Sequence, residues 1–223
     1  MISPNTIEKN LLQIQEEIAP FKPNIIAVTK YFDDETIISA YRAGIRDFAE
    51  SKAVEAIKKI NDLPFEIREN STFHFIGHLQ TNKVRKVVSH FDFIHSVDSF
   101  KLAETIAEEA AGINKIQKIF LQLNNAGEEQ KFGFSKEELF NSFDGIRKLS
   151  SIKIEGLMNI APLNADEDKL RNLFNDVKKT QDILNQKYDC NMTELSMGMS
   201  NDYKTAAQCG ATVLRIGRKL FKQ

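Results

Sequence analysis

A closed (β/α)₈ barrel is the fold class this chain predicts, on three observations. Eight short apolar runs have strand length, helix-periodic segments alternate with them, and no linker or composition break interrupts the 223 residues. Strands separated by helices pair in parallel, and eight is the number that closes a TIM-type barrel. One domain over residues 1–223 is expected, with an extra helix ahead of the first strand. An open doubly wound sheet is the alternative. It would carry a G-x-G-x-x-G turn after strand one, where Thr29-Lys30-Tyr31-Phe32 stands instead, and no Walker lysine motif is present.

The elements follow in order. Pro4 suits a first helical turn, and Ile7, Leu11, Ile14 and Ile18 recur on one helical face. Residues 25–30 form an apolar, β-branched run that Lys30 ends. Asp33 and Asp34 can cap a helix carrying Ile37, Ile38 and Tyr41, closed by Gly44. Residues 47–50 read as strand two, and Ala53, Ala56, Ile57 and Ile60 as the next helix. Strand three covers 73–77, a helix 82–88, strand four 93–97 and a longer helix about 99–111. Strand five is 118–123. Ser135 and Glu138 then form a capping box ahead of Leu139, Phe140, Phe143 and Ile146. Strand six is 154–160, followed by helical spacing through Leu170, Leu173, Phe174, Val177 and Leu184. Strand seven is 194–197. Ser200 can cap a short helix with Tyr203, Ala206 and Ala207, closed by Gly210, before strand eight at 212–217.

Composition narrows the function classes. Hydrophobic residues at 42% and charged residues at 27% describe a folded soluble chain rather than a disordered one. Thirty basic against thirty-one acidic side chains leave a net charge of −1, which argues against nucleic acid as the ligand. Lys83, Arg85 and Lys86 read as the wet side of a helix. Cys190 and Cys209 lack metal-ligand spacing and suggest a reducing cytosol. No basic-then-apolar leader opens the sequence, and no run approaches about 18 consecutive apolar residues, so neither secretion nor a membrane partner is expected.

Barrel chemistry gathers where strands end, which selects Lys30, Glu50, His78, His95, Asn124, Met158 and the segments after strands seven and eight. A lysine closing a buried strand has its stem among apolar neighbours, where desolvation favours the neutral amine that attacks carbonyls. Position alone leaves open a solvated lysine leaving the barrel. The segment Met197-Gly198-Met199-Ser200-Asn201-Asp202-Tyr203 offers backbone N–H groups and a hydroxyl to an anion, and Arg215-Ile216-Gly217-Arg218 adds a close-approach glycine. Loops after strands seven and eight are the recurrent phosphate site of this architecture, although a plain helix cap and a plain turn would look the same. First and last strands are neighbours in a closed barrel, so an amine beside a phosphate cradle suits a phosphorylated aldehyde. His74 and His78 straddle Gly77 and do not share a helical face, so a metal site is not expected. His95 near Asp98 could form an acid–base pair or be a hydrogen-bonded rim histidine, and Met197 and Met199 read as packing residues.

The sequence resembles the pyridoxal phosphate homeostasis proteins, a family related in fold to the N-terminal barrel of alanine racemase. The resemblance spans almost the whole chain. It is carried by Ala27-Val28-Thr29-Lys30, Phe48-Ala49-Glu50-Ser51, His74-Phe75-Ile76-Gly77-His78-Leu79-Gln80-Thr81-Asn82-Lys83 and Ser96-Val97-Asp98-Ser99. Lys131-Phe132-Gly133-Phe134, Gly156-Leu157-Met158-Asn159-Ile160-Ala161-Pro162, Leu195 through Tyr203, and Arg215-Ile216-Gly217 complete it in the same order. The resemblance implies pyridoxal 5′-phosphate as cofactor, with Lys30 forming the internal aldimine. It implies Ser200, beside Met199, with the backbone of Gly217 and Arg218 as the phosphate cradle, and Arg215 as partner of the pyridine nitrogen. It also implies a carrier with a role in vitamin B6 homeostasis and hence in amino-acid and keto-acid metabolism, without robust catalysis. Apoenzymes that take the cofactor, or a regulatory protein, are the partners it suggests.

Three departures stand out. The family's Gly-Glu-Asn-Tyr after strand two is Ala49-Glu50-Ser51-Lys52 here, so the asparagine at 51 and its amide contact are absent. Arg218 replaces a small hydroxyl residue, and Phe221 is not followed by the usual glycine. Two other functions fit the same residues: an amino-acid racemase, which would need a second β-rich domain, and a cofactor-free Schiff-base aldolase. Without that accessory domain a monomer is expected.

Overall fold

The structure, a computed structural model, describes residues 2–127 and 132–222. Eight parallel strands close into a barrel in chain order. They are β1 (Asn24–Val28), β2 (Asp47–Glu50), β3 (Thr72–Phe75), β4 (Phe93–Val97), β5 (Gln117–Leu123), β6 (Ile152–Asn159), β7 (Glu194–Met199) and β8 (Val213–Ile216). Closure is made by β1 against β8, in register from Asn24 opposite Val213 to Ala27 opposite Ile216. Helices α1 (Pro4–Glu17), α2 (Asp34–Arg42), α3 (Ala53–Asp62), α4 (Phe65–Glu69), α5 (Val84–His90), α6 (Phe100–Gly112), α7 (Lys136–Ile146), α8 (Glu167–Tyr188) and α9 (Tyr203–Gln208) run between and ahead of the strands. The expected barrel with a leading helix is therefore the observed fold.

Local chemistry explains most boundaries. Ser3 caps α1, and the Asp33 carboxylate accepts from the Thr36 N–H at 2.9 Å to open α2. The Ser135–Glu138 capping box forms as read, with both reciprocal bonds present. Two expectations about strand and helix ends need correcting. Lys30 does not end the first strand, which stops at Val28; the Phe32 N–H turns back to the Thr29 carbonyl at 2.9 Å, so Lys30 sits inside a turn. Ser200 does not cap the short helix either. It belongs to the turn after β7, and Asp202 precedes α9. α4 was not expected, because five residues after Pro64 are too few to show a period. The helix expected at 82–88 begins as a 3₁₀ turn over Thr81–Lys83.

Strand alternation sorts the core into two layers. Ile25, Ala27, Phe48, Phe73, Phe75, Ile94, Leu121, Leu157, Leu214 and Ile216 pack outward in the larger cluster that the helices complete. Their neighbours Ile26, Ala49, Phe120, Met158 and Val213 form a separate inner cluster. α1 fastens the two ends of the chain. The Asn10 amide donates to the carbonyls of Leu220 and Lys222, at 2.9 and 2.8 Å. Glu17 accepts from the Tyr203 hydroxyl and pairs with Lys204 at 3.0 Å and Lys219 at 3.2 Å. The Tyr203 hydrogen bond, with help from the two lysines, holds the Glu17 carboxyl down to about 2, while burial opposes it.

Candidate functional site

At the C-terminal end of the barrel lies a cavity of about 580 Å³, and Lys30, Met199, Ser200, Arg215, Gly217 and Arg218 all line it. The six residues that the resemblance places around the cofactor thus meet in one place. Lys30 is half-buried, with its amine 5.1 Å from the Tyr31 ring. The peptide ahead of it is anchored from below. Lys59 donates to the Thr29 carbonyl at 3.0 Å and to Glu50 at 2.6 Å, and the Thr29 hydroxyl donates to Glu50 at 2.8 Å. Glu50, chosen as a rim residue, is buried in this ion pair and fixes the strand end from which Lys30 departs.

The two loops beyond β7 and β8 are tied together. The Lys219 N–H donates to the Ser200 hydroxyl at 3.3 Å, and the Asp202 carboxylate accepts the Met199 N–H at 2.5 Å. Burial raises the Asp202 pKa against that bond and against Arg215. Gly217 permits the close approach. A Cβ there would lie 3.2 Å from the Val28 carbonyl oxygen and 3.4 Å from the Val28 side chain, pressing the end of β8 onto the end of β1. Arg218 is exposed at the mouth, with an Nη2 contact of 3.5 Å to Asn201.

Arg215 is 3% exposed and fixed by three donations: Nη1 to the Ser196 carbonyl at 2.6 Å and to its hydroxyl at 2.7 Å, and Nη2 to the Asn159 carbonyl at 2.7 Å. Burial pulls its pKa down to about 10, partly offset by Asp202, so it stays protonated at neutral pH. Beneath it His95 bonds Ser196 and His74, and not Asp98 as the acid–base reading had it. Asp98 lies 3.3 Å from His78, whose ring stacks on Phe132. Met158 packs in the inner cluster, and the Asn124 N–H bonds the Phe134 carbonyl at 2.8 Å. Lys131 lies outside the described residues. Ser51 and Lys52 face a second cavity of about 240 Å³, with His78 and Lys83, rather than the Lys30 cavity. Gly77 explains the packing there, since a Cβ on it would fall 2.0 Å from the Ser51 carbonyl oxygen. Among the described residues no group of three or more His, Cys, Asp or Glu side chains converges as a metal site.

Sequence reasoning missed Asp202, Ser196 and His74 as parts of this region. Strand alternation was the available signal: Ser196, His74 and Arg215 stand where Ile26 or Ala49 stands on other strands.

The family profile of the alanine racemase N-terminal domain matches residues 2–223, and the chain belongs to that family. Its curated relatives narrow the similarity to the pyridoxal phosphate homeostasis proteins. The one from Synechocystis sp. is 41% identical over 208 residues, 92% of this chain and 94% of the relative, and that from Aquifex aeolicus is 34% identical over 88% and 85%. Among solved structures, PipY of Synechococcus elongatus without PLP superposes at a TM-score of 0.90 with 36% identity, covering 96% of this chain and 99% of PipY. The form with PLP bound gives 0.88. An alanine racemase of Clostridium difficile, 17% identical, shares the fold at 0.81 over all of this chain and 58% of its own.

Proposed function

We propose that this protein binds pyridoxal 5′-phosphate through Lys30 and serves in the homeostasis of that cofactor rather than in turnover of a substrate. The carrying observation is that one cavity brings together Lys30, Ser200, Arg215, Gly217 and Arg218. Between them they suit the aldehyde, the ring nitrogen and the phosphate of a phosphorylated pyridine aldehyde. The similarity to PipY, whose structure has been solved with PLP bound, supports the reading.

When bound, the cofactor supplies an aldehyde that condenses with a primary amine. Lys30 is the amine lining the cavity, on a turn held by Glu50 and Lys59. The Ser200 hydroxyl and the backbone of the turn at Gly217 and Arg218 would hold the phosphate. Arg215 would face the ring nitrogen. A guanidinium only donates, so a nitrogen placed against it is kept as an unprotonated acceptor and withdraws few electrons from an attached carbanion. That disfavours racemisation and transamination. The other titratable groups on the cavity wall support storage over turnover: Asp202 is engaged by Met199, and Tyr31 is 78% exposed. Release to apoenzymes, or action through a regulatory protein, completes the role. We place the molecule in a reducing cytosol as a monomer, a setting that suits the free thiols of Cys190 and Cys209. Gel filtration at several concentrations tests the monomer.

Borohydride reduction of protein incubated with the cofactor, followed by peptide mass mapping, tests the site. A pyridoxyl adduct is expected on the peptide containing Lys30; an adduct confined to other lysines overturns the assignment. A fresh preparation is expected to be yellow, which the aldolase reading does not give. Hydrogen exchange at the α-carbon of alanine at enzyme-like rates in deuterated buffer would overturn the storage role in favour of a racemase.

A further inference from the structure

The barrel interior holds a continuous row of polar groups where most strands contribute apolar ones. Arg215 Nη1 lies 2.7 Å from the Ser196 hydroxyl, which lies 2.8 Å from His95 Nδ1. His95 Nε2 lies 3.0 Å from His74 Nδ1, and His74 Nε2 lies 3.0 Å from Asp47 Oδ1. Both rings are buried and held by stacking, His74 on Phe93 at 4.7 Å and His95 on Phe120 at 4.2 Å. The row runs from Asp47, which opens β2 at the N-terminal end of the barrel, to Arg215 on the cavity wall.

The ends of the row, with neutral rings between them, fix the direction of every bond in it. A guanidinium only donates, and a carboxylate only accepts. Arg215 therefore donates to Ser196, Ser196 to His95 Nδ1, His95 Nε2 to His74 Nδ1, and His74 Nε2 to Asp47. Each neutral histidine then carries its single proton on Nε2. A doubly protonated His74 would reverse the middle of the row, place His95 Nδ1–H and Arg215 on the same hydroxyl oxygen, and leave the Ser196 hydrogen to find another acceptor. Burial, then His74 and Arg215, push the His95 pKa well below its usual value, in agreement with the neutral ring.

We propose that Ser196, His95 and His74 are positioning residues for Arg215, forming a one-way line of hydrogen bonds that ends on Asp47 and holds one arm of the guanidinium. Of the five N–H donors of Arg215, three are bound to Ser196 and Asn159, and two remain for a ligand. The line rests on the cofactor reading only for what Arg215 is aimed at; its direction stands on the unliganded protein alone.

Two measurements test it separately. Four histidines occur in the chain, so replacing the exposed His78 and the half-buried His90 by glutamine leaves only the two in the line. Side-chain ¹⁵N NMR of that variant at pH 8, without ligand, is expected to show two neutral rings protonated on Nε2. An Nδ1–H or an imidazolium on either ring overturns the line. The second measurement is a double-mutant cycle on pyridoxal 5′-phosphate affinity with Asp47→Ala and Ser196→Ala, which replace residues at opposite ends. Each single change is expected to weaken binding about tenfold, and the pair no more than either alone. The ¹⁵N shift of the bound pyridine nitrogen is expected to move in all three variants, a signature that loss of stability by itself does not produce. Multiplicative losses, or an unmoved nitrogen, overturn the positioning role. If the wild-type protein takes up no cofactor, the cofactor reading fails with the role it gives the line, while the tautomers still decide whether the line exists.

Discussion

The two faces of the barrel wall are built to different rules. The face turned to the helices is mostly apolar, with Phe48, Phe75, Ile94, Leu121 and Leu214 buried almost completely. The inner face mixes Ile26, Ala49, Phe120 and Met158 with His74, His95, Ser196 and Arg215, all of them buried as well. A helix-facing position is filled to hold the fold together. An inner position is close enough to the ligand end to hold a polar group for another purpose, provided that group is fully hydrogen-bonded. Polar residues at inward positions therefore mark the working region, and apolar residues at outward positions mark the scaffold.

Substitutions can separate these duties. The largest effect is expected from Phe174→Ala, which empties a fully buried position under the helices and costs about 3–5 kcal/mol of stability. Cofactor affinity of the folded molecules is expected to be unchanged; chemical denaturation and a binding titration read the two quantities. Phe120→Ala should cost a similar amount and also weaken binding, because it removes the ring on which His95 stacks. Equal binding in both variants would erase the distinction between the layers. Ser135→Ala removes one half of a helix cap that is not part of the cavity lining and is expected to cost about 1 kcal/mol, with binding intact.

Glu17→Gln gives a smaller, pH-specific effect of under about 1 kcal/mol. The Glu17 carboxyl is held at about 2 in the folded chain against an ordinary 4.5, so its contribution is complete above 4.5 and is lost as the pH falls toward 2. The melting temperature of the wild type is expected to fall more steeply across that window than that of the variant; parallel curves would remove Glu17 as the cause. Lys30→Ala is expected to change stability least, within about 0.5 kcal/mol, because the side chain is only half-buried. The borohydride-trapped adduct is nonetheless expected to vanish.

The same contrast explains what could be read from residue order. Strand and helix alternation depends on apolar residues, and those of the outward layer are regular enough that all eight strands were legible. The rim was legible too, since Lys30, Ser200, Arg215 and Gly217 follow directly on strands that could be recognised. The polar row was not, because each of its members sits singly in an apolar run and is explained only by partners up to 101 positions away, as His95 is by Ser196. The role of Ser200 was also misjudged. A serine before a short helix looks like its cap, and only the extra turn after β7 shows that Ser200 instead receives the Lys219 N–H.

Pairing of β1 with β8 has a consequence for biosynthesis. A ribosome delivers Ile25 and Ile26 long before Leu214 and Arg215, so the growing polypeptide carries an unsatisfied strand edge until β8 has been made. α1 is made even earlier, yet the carbonyls its Asn10 grips emerge only after β8. The nascent barrel is therefore open, and most exposed to misassociation, until β8 reaches β1.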